Sequence, residues 1–271
     1  MLSILNSISS LTAEDALSTT QAQLQKTLTQ LATGLKINSG SDDAAGLAIA
    51  NGLEANISAL TQSSQNASDG IGLLQTADGA LSQVTTMLNR AVTLATEASN
   101  GGLSTSQSAA LDTEYQSILN EIGTIGATTN YNGTAIFGTT ATIFTSDGTA
   151  SGSSITSTNI GALTTAALSL TGTALTSTAT AQTALSDISA AISAVAANRG
   201  AIGAAVNQLA ADTNVQTTEV TNLTSAEDNV QNADIGKTVA QMTQYNVLQQ
   251  TGMAALSQSN QAQQSVLKLL Q

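Results

Sequence analysis

Asp42 and Asp43 stand side by side in KINSGSDDAAGLAIA, and adjacent carboxylates can hold a metal ion or divide acid–base work between them. Either chemistry needs partners. A nucleophile needs a neighbouring base, and a soft metal needs imidazole or thiolate. The chain has no His and no Cys. Its other carboxylates are scattered along helical stretches, where solvated faces are the ordinary use. Asp42 and Asp43 therefore read as first-turn acids of a helix that starts after Ser39 or Ser41, favoured there by the helix dipole. No catalytic, cofactor-binding or metal-ligating residue is expected, and the chain does not read as an enzyme.

The elements that carry these residues are helical by composition. The 271 residues include no Pro and no Trp, and only three Tyr and two Phe. Without Pro the main helix breaker is gone. The apolar residues are Ala, Leu, Ile and Val, diluted with Ser, Thr, Asn and Gln, which suits closely approaching helices. Eighteen acids against six bases give a net charge of -12, so nucleic acid is a poor partner. The start, MLSILNSISSLTAEDAL, lacks the basic and apolar regions of a secretory signal, and no stretch reads as apolar enough to span a bilayer. Export, if it occurs, is expected to use no cleavable signal, and no membrane partner is expected.

Apolar residues spaced alternately three and four apart form a coiled-coil seam. Residues 4–35 carry Leu17, Leu24, Leu28, Leu31 and Leu35 on such spacing. After the break at KINSGSDD, residues 45–98 carry Leu53, Ile57, Leu60, Ser64, Ala67, Ile71, Leu74, Asp78, Leu81, Thr85, Leu88, Val92 and Ala95. Asn100-Gly101-Gly102 is expected to stop that helix as a glycine cap. Gly70, Gly72 and Gly79 lie inside it, either for close approach or bending, or as tolerated drift. A shorter helix is expected over 105–128. From 178 to 225 the seam returns at Leu185, Ile188, Ile192, Val195, Arg199, Ile202, Val206, Leu209, Thr213, Gln216, Val220 and Leu223. A one-residue phase slip at the polar stretch 226–234 separates it from Ile235, Val239, Met242, Met253, Leu256, Leu267 and Leu270. Amides at Asn246, Gln249, Asn260 and Gln263 interrupt this last seam. Between the helical halves the sequence turns to Thr, Ser and Gly, with turn dipeptides Asn132-Gly133 and Asp147-Gly148. One or two β-hairpins and a flexible Ser/Thr loop are expected there.

The expected fold is mainly α: a long antiparallel bundle or coiled coil of paired N- and C-terminal segments, with a small β-hairpin insertion. Three parts follow. Residues 1–44 with 226–271 form an inner coiled coil, 45–135 with 176–225 an outer helical part, and 136–175 a short insert.

GLKINSGSDDAAGLAIANGL (34–53), LTQSSQNASDGIGLLQTADGAL (60–81), LNEIGTIGATTNYNGTAIF (119–137) and NVLQQTGMAALSQSNQAQQSVLKLL (246–270) resemble the conserved ends of bacterial flagellin, in the family's order. The resemblance covers roughly 1–137 and 178–271. It implies an extracellular filament subunit that polymerises with itself for motility, its paired end helices lining a central channel. It also implies type III export, a chaperone, a cap protein and a hook-associated junction protein as partners. The short middle implies a minimal form without large outer domains. Two other readings are a hook–filament junction protein and a coiled-coil adhesin or binding module; the C-terminal motif favours flagellin over the first. In flagellins recognised by Toll-like receptor 5, the positions matching Arg90, Leu94 and Glu114 resemble the receptor's contact patch. Here the neighbouring Asn89, Val92 and Thr93 depart from the pattern, so receptor binding is expected to be weak or absent.

Overall fold

The structure, a computed structural model, describes residues 8–148 and 155–269. Five helices dominate: α1 Ile8–Thr33, α2 Ala44–Ala98, α3 Thr105–Thr128, α4 Thr178–Gln231 and α5 Ile235–Leu269. Two antiparallel hairpins lie between α3 and α4. β1 (Asn130–Tyr131) pairs with β2 (Thr134–Ala135), and β3 (Thr139–Phe144) with β4 (Ile155–Ile160). The chain divides into two compact units, residues 1–55 with 222–271 and residues 56–221.

In these hydroxyl-rich helices the hydroxyls fold back on the helix and so are satisfied without a tertiary partner. Thr27, Thr61, Thr85 and Thr213 each donate to the carbonyl four residues earlier. The starts of α2 to α5 are capped by side chains. Ser104 and Gln107 form a capping box on α3, while Ser177 and Asp234 accept from the third amide of α4 and α5. Asp43 does the same for α2, taking the amides of Ala45 and Gly46 at 3.1 and 2.9 Å. The cap is thus Asp43 itself, not Ser39 or Ser41. Asp42 is not in the helix; it closes the preceding loop. The expected glycine stop of α2 is also corrected. Neither Gly101 nor Gly102 has a positive φ, whereas Gly34, just past α1, does at 76°. The left-handed cap belongs to α1.

In the larger unit, the dry seam of α2 is Leu60, Ser63, Ala67, Gly70, Leu74, Ala77, Leu81, Val84, Leu88, Ala91, Ala95 and Ala98. It keeps the expected three–four step and half of the expected residues. The other half shifts by one position to small residues. Ile71, Asp78, Thr85 and Val92 flank the seam half-buried. α4 repeats the shift, with Ala184, Ala191 and Ala205 buried in place of Leu185, Ile192 and Val206. Small side chains let helices approach, and larger neighbours cover the sides of the contact. α4 is long and apolar enough by composition to cross a membrane, contrary to the sequence expectation. Its Ile188, Val195, Ile202 and Leu209 are buried in the core of this unit.

The described part of the insert is more ordered than expected. Asn132 and Gly133, both at positive φ, make the tight turn of the first hairpin. In the second, Ile143 pairs with Thr156 and points inward. The following segment is not a flexible loop: Leu163, Leu168, Leu170 and Leu175 are all buried in the core. Side chains of α3 hold it. Tyr115 Oη lies 2.6 Å from Thr173 Oγ1, Gln116 donates to the Thr173 carbonyl, and Asp112 accepts from the Leu175 amide. These leucines have irregular spacing, so no periodic pattern announces them. Gly126 permits the approach, since a Cβ there would sit 1.9 Å from the Leu163 carbonyl oxygen.

Candidate assembly interface

In the smaller unit, the two polar breaks of the sequence bind each other. The Lys36 amide donates to the Gln231 carbonyl at 2.7 Å, and the Ala233 amide to the Gly34 carbonyl at 2.8 Å. Lys36 Nζ reaches the Asn229 carbonyl, and Gln30 folds back onto the Lys36 carbonyl. Asp42 locks the loop between α1 and α2. One carboxylate oxygen pairs with Lys26 Nζ at 2.8 Å, and the other accepts from the Asn38 and Ser39 amides. The hydrogen bonds from Lys26 and the Asn38 amide lower its pKa to about 2. Ile37 is buried beneath this loop, and Gly46 leaves room for it, because a Cβ there would meet Ile37 Cδ1 at 2.7 Å.

α1 and α5 pair along their length. Ser10 and Ser259 hydroxyls lie 3.0 Å apart, and Gly252 faces Leu17. The pair is incompletely covered. Of the expected seam, Leu17, Leu24, Leu31, Leu35, Met242 and Leu256 are half-buried, while Leu28, Ile235, Val239 and Met253 are 40–50% exposed. Leu11, Val247 and Leu248 are exposed as well. Leu270 lies outside the described residues, as does the side chain of Leu267. A groove of about 530 Å³ runs beside Leu17, Met253, Leu256 and Asn260. Asn246 and Gln249 are half-buried and Asn260 is exposed. Ile235, Val239 and Met253 share one side of α5, and exposed apolar side chains grouped in this way mark a surface made for contact.

In the larger unit, Arg90 meets Glu114 through Nη2 at 2.7 Å and Nε at 2.8 Å, both on the surface. Leu94 does not join them there, because it is 1% exposed and sits in the core. Two charges inside the sequence seams, Asp78 and Arg199, form a bidentate pair at 2.7 and 3.2 Å. Sequence reasoning placed both on seams without pairing them; their opposite signs at seam positions of facing helices were the available signal. Among the described residues, no group of three or more His, Cys, Asp and Glu side chains is placed to hold a metal.

What the geometry defines is a mainly helical protein whose first and last described helices pair and leave apolar side chains in solvent. The model of the bacterial flagellin N-terminal helical region matches residues 4–142, and that of the C-terminal helical region matches residues 185–270. The chain belongs to the bacterial flagellin family, a structural rather than enzymatic family. It is 40% identical over 127 residues to flagellin 1 of Proteus mirabilis, covering 47% of this chain and 35% of that one. It is 42% identical over 137 residues to a Serratia marcescens flagellin, 50% and 39% of the two chains, and 43% identical over 131 residues to a Salmonella muenchen flagellin, 48% and 26%. These matches thus span roughly a quarter to two fifths of the relatives' length. The crystal structure of Bacillus cereus flagellin is 29% identical with a TM-score of 0.50, covering 60% of this chain and 94% of that one.

Proposed function

We propose that this chain is a structural subunit of an extracellular bacterial flagellar filament, polymerising with itself into a helical tube. The observation that carries this reading is the α1–α5 pair, in which Thr27 and Thr238 are buried but none of the described apolar seam residues is. Leu28, Ile235, Val239 and Met253 need cover that other copies would supply. Residues 1–44 and 226–271 form the channel-lining layer, and 45–135 with 176–225 the surrounding helical layer, around a short insert at 136–175. Family likeness supports the remaining partners: a type III export apparatus, an export chaperone, a cap protein and a hook-associated junction protein. Toll-like receptor 5 binds weakly or not at all, a reading supported by the burial of Leu94 and the mutual pairing of Arg90 and Glu114.

Electron microscopy after seeding the purified protein with ammonium sulfate tests the function. Long filaments of uniform diameter with a central channel are expected. Persistent monomers with protease-resistant termini would overturn the reading in favour of a self-contained coiled-coil binding module.

A further inference from the structure

The chain has no Cys and no Trp, so its thioethers are its softest and most readily oxidised side chains. Three methionines lie among the described residues, and their surroundings differ. Met87 is half-buried and packs against the core of the larger unit. Met242 is half-buried on α5. Met253 is 50% exposed and lines the groove of about 530 Å³ with Leu17, Leu256 and Asn260. α1 already packs at this level, because a Cβ on the neighbouring Gly252 would meet Leu17 Cδ1 at 3.4 Å. The cover available within one chain is therefore in place, and it still leaves the Met253 side chain open.

We propose that Met253 is a peroxide-sensitive modification site whose oxidation to the sulfoxide in the free subunit switches off self-assembly. This inference rests on the self-polymerising reading above. A sulfur lone pair attacks one oxygen of hydrogen peroxide, an S–O bond forms and the O–O bond breaks. After proton transfer the other oxygen leaves as water, so sulfur is oxidised by two electrons and the peroxide is reduced. The product replaces a flexible apolar side chain with a polar, chiral one. Its oxygen is an acceptor that a second copy seated on Leu17, Met253 and Leu256 would have to bury, and burying an unpaired acceptor is costly. Copies that cover the seam also cover Met253, so the filament protects what the free subunit exposes.

The test treats free full-length subunits with hydrogen peroxide, maps the sulfoxides by peptide mass spectrometry, and then seeds assembly with ammonium sulfate. Met253→Leu and Met87→Leu are run beside the wild type, each compared with its own untreated sample. Met253 is expected to oxidise first, and treated wild type and Met87→Leu to lose filament formation. Treated Met253→Leu should keep the level of its untreated sample. Slower oxidation of Met253 than of Met87 would overturn the site. Filaments from wild type already oxidised at Met253, or equal loss in all three proteins, would overturn the switch while leaving the filament reading intact. Untreated wild type that never polymerises would sink the filament reading itself. If Met253→Leu does not assemble even untreated, reductase repair of oxidised wild type decides. Filaments should return in step with reduction at Met253, and their failure to return defeats the proposal.

Discussion

Among single residues, glycine separates close contact from tolerance. Gly126 lies against the Leu163 carbonyl, and Gly70 against Ile143, where a Cβ would come within 2.3 Å of Cδ1. Gly79 has nothing within 4 Å. Gly126→Ala should destabilise the protein by about 1–3 kcal/mol through overpacking, whereas Gly79→Ala should stabilise it by about 0.5–1 kcal/mol through helix propensity. Denaturant unfolding of the two variants checks both signs. Asp42 carries the pH argument. Its folded pKa of about 2 lies below the ordinary 3.8, so its contribution is complete above pH 4 and is lost as pH falls toward 2. Carboxyl chemical shifts followed by NMR should give that titration, and Lys26→Ala should move it upward.

At the level of elements, the seams decide. Large residues at Leu74, Leu81 and Leu88 alternate with small ones at Ala77, Val84 and Ala91 along one dry line of α2. Leu81→Ala should cost about 2–5 kcal/mol, and Ala77→Leu about 1–3 kcal/mol by overpacking; thermal melts of the larger unit report both. The half-buried flank is more forgiving, and Val92→Ala should cost less than Leu81→Ala in the same melts. The Asp78–Arg199 pair is more than a third exposed on both sides, so it adds at most a fraction of a kcal/mol to about 1 kcal/mol. The three–four step was legible from spacing because it needs only apolar recurrence. Which flank is driest was not, because Ala77, Gly70 and Ala184 look like filler until a partner helix lies on them.

For the molecule as a whole, 18 acids face six bases, and the described bases are mostly engaged. Lys26 meets Asp42, Arg90 meets Glu114 and Arg199 meets Asp78. Copies brought together therefore repel through unpaired acids. Polymerisation should become faster as pH falls from 7 to 4 and slower as salt is removed, because protonation and screening both relieve that repulsion. Turbidity independent of pH over this range would refute the charge argument. The sequence by itself determined the helical class, the break over 36–43, the hairpin turn at Asn132-Gly133 and the family; it set the second break at 226–234, whereas α4 stays helical to Gln231 and only 232–234 separate it from α5. Periodicity, turn chemistry and end motifs are local and survive without coordinates. Tertiary structure alone decided that the two breaks bind each other, that Leu163 to Leu175 are core and that Leu94 is hidden. Each of these joins residues far apart in the chain, and a spacing rule carries no information about distance across it.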